Sequence, residues 1–337
     1  MNQPVRWPAM VLTAGLGSRL RPLSYVRAKP AVPVAGEALI RRIIRWLAGH
    51  GVHALVLNLH HKGETIRSEV GDGRDLGVSV RYSPEEEILG SAGGPRRALP
   101  LLEADRFLLI NGDTLTDLDL GALARAHEAT GAKVTMALVR NPDPVKYGGV
   151  VLDREGAVVT FARAGSGTSE AYLFIGVQAV DASVFAGLPS DVPAGTVAQV
   201  YPALIAERPG SVRGLVCGAS FFDIGTPADY LATALALARQ EGRDELPAGR
   251  GCRVDPAARV RRTALWDDVE VEAGAQLVDC IVTDGVRVVS GTSFRQCSLT
   301  PAGSWRPTPG TLVAGDVLAT PFTAGPGRGP EAEGLPR

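Results

Sequence analysis

The chain is short of the features that would commit it to several large classes. Only four cysteines occur in 337 residues, Cys217, Cys252, Cys280 and Cys297. None forms a C-x-x-C pair, and no histidine stands at zinc-finger spacing, so the thiols read as small apolar fillers in a reduced protein. Net charge is almost absent, at -1, and no long basic run occurs, which removes the electrostatic case for a nucleic-acid or anionic-membrane partner. No stretch approaches the roughly 18 apolar residues of a membrane span. The N-terminal "MNQPVRWPAM" has no apolar signal core, so the expectation is a cytoplasmic protein.

What is present is length and alternation. A chain of 337 residues exceeds one ordinary core, and two domains are the prior. "AMVLTAG", "ALVLNL", "GVSVRYS", "RFLLINGD" and "KVTMALV" read as buried strands. Between them "EALIRRIIRWLAGHG", "KGETIRSEVGDG" and "LGALARAHEATG" carry helical periodicity. That alternation predicts a mostly parallel sheet covered by helices, an α/β fold of Rossmann-like type. "PADYLATALALARQ" closes this part as a helix, giving a first domain over 1–240 and a polar linker over 241–250. A fragment ending near residue 245 is expected to fold alone.

Beyond residue 251 the helical pattern stops. Val254 and Val260 are six apart, as are Val271 and Leu277, and Val282 and Val288, with the phase breaking near Trp266 and Leu277. A six-residue apolar step predicts a short β-helix of about two coils over 251–302; the other reading is a few irregular strands. Open coil ends predict a homo-oligomer through this region. From residue 303 the Pro/Gly-rich sequence predicts a poorly ordered tail to 337.

"VLTAGLGSRLRPLS" runs from the first strand into glycines and arginines. Glycines let backbone N–H groups face an anion, and arginines supply charge that a neutral ligand does not need. The dinucleotide fingerprint fails because Leu20 stands where a third glycine belongs, and no Gly-Lys-Ser/Thr tripeptide exists for a P-loop. A lone G-x-G serves equally well as a tight turn. Its continuation is more specific. "LTAGLGSRLRPLSYVRAKPAVPVAG", followed in order by "ILGSAGGPRRAL", "LINGDTL", "KYGGVVLD" and "FFDIGTPADY", resembles the sugar-1-phosphate nucleotidyltransferases. The C-terminal segment is similar to the left-handed β-helix extension of the mannose-1-phosphate guanylyltransferase branch.

The resemblance implies that an NTP and a sugar 1-phosphate react to give an NDP-sugar and pyrophosphate, with Mg²⁺ as cofactor. Such chemistry needs positioning and charge stabilisation more than a strong base. It assigns Arg19 to the leaving phosphates and Lys29 to the α-phosphate, and it makes Asp113 and Asp223 the metal ligands. Leu12, Ala14, Gly15, Gly17 and Ser18 would line the nucleotide, with Gly90, Ser91 and Gly94 as a small-residue turn along the base. Gly148 and Gly176 would lie near the sugar.

The chain departs from the family at that end. The usual Glu-Lys-Pro is missing from "VVTFARAGSGTSEAY", and the usual Asn-Ala-Gly reads Phe174-Ile175-Gly176. Glu170 either replaces the lost carboxylate or is an exposed loop residue. Where pyrimidine-using relatives commonly place a glutamine, this chain has only Glu85, Glu86 and Glu87 ahead of Leu89, which hints at GTP. The alternatives are uridylyl or thymidylyl transfer to another (amino)sugar 1-phosphate, or a regulatory subunit that binds sugar nucleotides without turnover.

Overall fold

The computed structural model describes residues 4–166 and 171–322. The chain packs as two units that do not follow chain order. One comprises the residues up to Gly15 with Ile40–Phe222; the other joins Leu16–Leu39 to the described residues from Asp223 onward. These packing units cut across the boundary read near residue 240: a loop from the front of the chain and the helix after Asp223 are grouped with the C-terminal strands.

The first unit is built on one nine-stranded sheet. Its strands are β1 (Ala9–Leu12), β2 (Ala54–Leu59), β3 (Ser79–Pro84), β4 (Arg106–Asn111), β5 (Val134–Arg140), β6 (Gly149–Leu152), β7 (Val158–Ala162), β8 (Tyr172–Asp181) and β9 (Val212–Val216). The order β7-β6-β8-β4-β1-β2-β3 carries β5 and β9 on a branch from β8. Strands β3, β2, β1 and β4 are mutually parallel, and β8 runs antiparallel to β4, β5 and β6. The parallel strands are short apolar runs because both faces are covered: Phe107, Leu108, Leu109 and Ile110 are all fully buried.

Helix α1 (Leu39–Gly49) buries Leu39, Ile40, Ile43, Ile44 and Leu47 on one stripe, at the three- and four-residue spacing of a helix face. Helices α2 (Gly63–Val70), α3 (Gly90–Leu102) and α4 (Leu120–Thr130) follow, then α5 (Ser183–Ala186) and α6 (Tyr201–Glu207). The ends of α4 are set locally. Asp119 caps it by accepting from the Gly121 N–H at 2.8 Å, and Gly131, at φ 61°, stops it.

Helix α3 replaces the small-residue turn expected at Gly90–Gly94. Pro95 and Pro100 lie inside it, which is why its pattern does not read as a helix. Its glycines are needed for close approach. A Cβ on Gly93 would meet the Val192 carbonyl oxygen at 2.6 Å, and one on Gly94 would meet Glu85 Oε1 at 2.9 Å.

In the second unit, α7 (Pro227–Gln240) starts with a reciprocal cap. Thr226 Oγ1 accepts from the Asp229 N–H at 3.2 Å, and Asp229 Oδ2 accepts from the Thr226 N–H at 3.0 Å. The C-terminal strands then fall into three short parallel sheets. Arg253 pairs with Glu270 and Glu270 with Arg287; Val260 pairs with Leu277 and Leu277 with Phe294; Leu265 pairs with Val282 and Val282 with Leu299. Every step is 17 residues, not the 18 of three hexads. The apolar ladder Val271, Leu277, Val282, Val288, Phe294, Leu299 is buried and advances by six, five, six, six and five. What looked like a phase break is a five-residue step, and the 17-residue spacing is repeated twice along each of the three ladders.

The segment from residue 303 is not wholly a tail. Strands Leu312–Ala314 and Val317–Pro321 pair antiparallel, and the second pairs antiparallel with Cys297–Pro301, burying Leu318 and Ala319. Their apolar residues are few and lie among glycines and prolines, which concealed them. The rest of the expected tail, 323–337, lies outside the described residues. All four cysteines are free thiols; Cys280 and Cys297 are buried on successive coils with sulfurs 3.9 Å apart.

Candidate active site

The expected site residues divide between the two units, and each set has its own scaffold. In the first unit, β1 hands over at Leu12 to Thr13, Ala14 and Gly15. Thr13 is anchored by Asn58 at the end of β2: its N–H donates to Asn58 Oδ1 at 2.7 Å and its hydroxyl donates to the Asn58 carbonyl. Asn58 Nδ2 donates onward to Glu85 Oε1 at 2.7 Å, and Glu85 Oε2 accepts from the Leu89 N–H at 2.9 Å. Thr13, Asn58 and Glu85 are buried. One polar chain therefore joins the loop after β1, the end of β2, the segment after β3 and the entry to α3. Both Glu85 oxygens are engaged within the protein, which gives this carboxylate a bracing role between Asn58 and the entry to α3. A lone Asn in the apolar run "ALVLNL" was the available signal, since a buried amide demands partners.

Asp113 leaves the sheet beside this loop. Leu12 pairs with Asn111, and the Gly112 N–H donates to the Leu12 carbonyl at 2.9 Å. A Cβ at Gly112 would lie 2.4 Å from that oxygen, so only glycine lets the backbone pass. Asp113 thus stands at the carboxyl end of a parallel strand, where open α/β sheets bind ligands. Gly176 has φ 78° and sits in a bulge of β8, where the register shifts between Phe174 and Gln178. A Cβ there would meet Thr114 Oγ1 at 2.5 Å and Asn111 Nδ2 at 2.8 Å, so the bulge presses against the turn that carries Asp113. Gly148 lies where a Cβ would meet the Ala162 carbonyl at 2.9 Å.

Ser91 is held by Thr196: its hydroxyl lies 2.9 Å from Thr196 Oγ1 and accepts from the Thr196 N–H at 2.9 Å. Gly90, at φ 74°, faces the Ala194 carbonyl. Both residues are thus engaged in packing α3 against the loop before α6. Glu170 lies outside the described residues.

In the second unit, the segment after Gly15 forms three successive 3₁₀ turns, Ser18–Leu20, Leu23–Tyr25 and Lys29–Ala31. Pro22 and Pro30 forbid a continuous helix. Gly17, at φ 59°, opens the first turn, and Ser24 Oγ donates to its carbonyl at 2.9 Å. Leu20 and Leu23 anchor the loop in the interior, and Lys29 is only 9% exposed. Arg19 and Asp223 converge on Gly225: a Cβ there would lie 3.0 Å from Arg19 Nη1, 3.2 Å from Asp223 Oδ2 and 3.0 Å from Asp229 Oδ2. Asp229, the cap of α7, is the neighbour that the sequence reading missed, although the T-x-x-D spacing from Thr226 announces it.

Among the described residues, no three His, Cys, Asp or Glu side chains gather as a metal cage. Magnesium does not require one, because it takes one or two carboxylates and fills its shell with water and phosphate oxygens.

A family model described as nucleotidyl transferase matches residues 8–240. The chain belongs to that family. Over 294 residues it is 32% identical to the mannose-1-phosphate guanylyltransferase of Mycobacterium tuberculosis, covering 84% of this chain and 81% of that protein. Over 234 residues it is 36% identical to the N-acetylmuramate alpha-1-phosphate uridylyltransferase of Neisseria meningitidis serogroup B, covering 68% of this chain and 97% of that one. Among solved structures, HddC from Yersinia pseudotuberculosis complexed with GMP-PN superposes with a TM-score of 0.60 at 25% identity, over 68% of this chain and 99% of that chain. No helix among the described residues is long and apolar enough to cross a membrane.

Proposed function

We propose that this sugar-1-phosphate nucleotidyltransferase uses GTP and mannose 1-phosphate, or a closely related sugar phosphate, and releases pyrophosphate. The supporting observation is the extent of the likeness to the Mycobacterium tuberculosis guanylyltransferase, which reaches beyond the catalytic motifs into the C-terminal coils. The 17-residue parallel step supports reading those coils as a short left-handed β-helix. In the reaction an oxygen of the sugar phosphate forms a bond to the α-phosphorus as the bond to the pyrophosphate oxygen breaks. The nucleophile is already an anion, so the protein supplies position and positive charge.

Arg19 is assigned to the leaving phosphates, where a planar fork suits two oxygens, and Lys29 to the α-phosphate as a point charge. Asp113 and Asp223 are assigned to Mg²⁺, which would neutralise phosphate charge. Gly15, Gly17 and Ser18 would offer backbone N–H groups to phosphate. The departures at the sugar end leave Phe174 where an amide would hold a hydroxyl, so the acceptor sugar is the more open half of the proposal. The cytosol, where the NTP is available, is the proposed location.

The test is pyrophosphate release across a matrix of NTPs and sugar 1-phosphates. GTP with mannose 1-phosphate should lead. Turnover at least about tenfold greater with UTP and any sugar phosphate would replace the guanylyl assignment with a uridylyl one. Asp113→Asn should retain the fold and lose several kcal/mol of transition-state stabilisation, roughly a thousandfold in kcat/KM; near-normal turnover would remove the metal assignment.

A further inference from the structure

Arg27 stands two residues before Lys29 and is almost fully buried, at 9% exposure. Its Nε donates to Asp284 Oδ2 at 2.7 Å and its Nη2 donates to Asp284 Oδ1 at 2.7 Å, a fork closed on one carboxylate. Nη2 also donates to Asp267 Oδ2 at 2.8 Å. The guanidinium carbon lies 5.6 Å from the centroid of the Trp266 ring. Asp267 and Asp284 are 17 residues apart, so two successive coils present a carboxylate at the same position, and the Asp267 N–H donates to Asp284 Oδ1 at 3.1 Å. Asp267 also holds Arg250 through Nη2 at 2.7 Å. On the other side of Lys29, Tyr230 donates its hydroxyl to the Pro33 carbonyl, and the Trp266 indole N–H donates to that same hydroxyl at 2.9 Å.

The segment carrying Lys29 is therefore gripped on both sides by groups from α7 and the coils. Between the grips it is stiff. The Ala31 N–H bonds the Ala28 carbonyl at 2.8 Å, and Pro30 fixes the turn. Arg27 itself is not placed to bind phosphate, because two carboxylates already take its charge. Burial works against that charge, and the hydrogen bonds and attraction of Asp284 and Asp267 outweigh it, so the pKa is raised above the ordinary arginine value.

We propose that Arg27 is a positioning residue: held by Asp267 and Asp284, it fixes the turn that presents Lys29, and the C-terminal coils are thereby part of the catalytic apparatus. The proposal rests on the assignment of Lys29 to the α-phosphate. An apolar side chain could fill the same space, but a bidentate fork on carboxylates from two coils adds direction as well as contact.

The experiment uses the full chain and a double-mutant cycle. Arg27→Ala should lower kcat by about tenfold or more while the KM for the NTP changes by less than about threefold, and Arg27→Lys, which keeps charge without the fork, should recover part of the loss. In a Lys29→Ala background the same Arg27→Ala change should cost less than about twofold further, because its route to the reaction is gone. Hydrogen exchange of the 16–39 amides should quicken in Arg27→Ala while that of β2 and β4 stays as in the wild type. Asp284→Asn, of unchanged shape, gives the same comparison if Arg27→Ala does not fold.

A loosened 16–39 segment with unaltered kcat, or a second full tenfold loss in the Lys29→Ala background, overturns the proposal. Unchanged exchange overturns the brace itself, whatever the turnover. If the wild type turns over no NTP at all, the catalytic assignment of Lys29 fails and the proposal with it, while the exchange data still judge the grip.

Discussion

Asn58 shows how a single buried amide can organise the loop that follows a strand. Its Oδ1 takes the Thr13 N–H, its carbonyl takes the Thr13 hydroxyl, and its Nδ2 feeds the buried Glu85 carboxylate. Asn58→Ala removes the partner of one backbone donor and of one charged acceptor, neither of which has access to bulk water. Each buried polar group left without a partner costs about 1–3 kcal/mol. For the two groups together the unfolding free energy of Asn58→Ala, measured by urea, should fall by about 2–6 kcal/mol, and the KM for the NTP should rise as the β1 loop loosens; an unchanged midpoint would mean that water replaces the amide. Arg19, Lys29, Asp113 and Asp223 could be proposed from the sequence because each sits in a contiguous motif. The Arg27–Asp267–Asp284 cluster could not. Arg27 lies 240 positions from Asp267 and 257 from Asp284, and an ion pair between distant segments leaves no local pattern.

At the level of elements, legibility tracked the strength of the period. The strands "AMVL", "ALVLNL" and "RFLLIN" and the helices α1, α4 and α7 lie where their apolar spacing puts them. Helix α3 was hidden because Gly90, Gly93, Gly94, Pro95 and Pro100 are turn formers in isolation, and only the close approach of Val192, Glu85 and Asn58 explains so many small residues. The C-terminal repeat was half legible: its six-residue apolar steps could be seen, but the five-residue step ending at Val282 looked like a loss of register. The inward ladder gives a direct check. Leu277 is fully buried on the middle coil, whereas Val254, at the start of the same ladder, is 42% exposed. Leu277→Ala should cost about 2–5 kcal/mol, and Val254→Ala should stay within about 0.5 kcal/mol. Equal shifts in the thermal midpoint of the two variants would show that the first coil is covered in solution, as a subunit contact at the open end would do.

The whole molecule is where the packing departs furthest from the order of the chain. The motif-bearing segment Leu16–Leu39 belongs to the same unit as α7 and the coils. A fragment ending near residue 245 keeps every motif that carries the family resemblance, and on that ground it was expected to stand alone. It also loses Trp266, Asp267 and Asp284. Arg27 would then regain water, so the lost ion pairs by themselves are nearly neutral for stability. The apolar losses are not neutral. Tyr230 is 1% exposed and packs edge-on to the Trp266 ring at a centroid distance of 6.3 Å, and Gly36 lies against Pro247. Removing residues after 245 exposes the tyrosine and the adjoining face of α7, and apolar surface returned to water weakens folding by about 25 cal/mol per Å². The fragment should therefore retain the sheet of the first unit, with protected amides in β1, β2 and β4, yet exchange rapidly over 16–39 and aggregate at concentrations where the full chain does not. Its turnover should fall more than its helix and strand content. Hydrogen exchange, light scattering and pyrophosphate release on the fragment and the full chain provide the comparison; a monodisperse fragment with full turnover would show that the coils serve assembly alone.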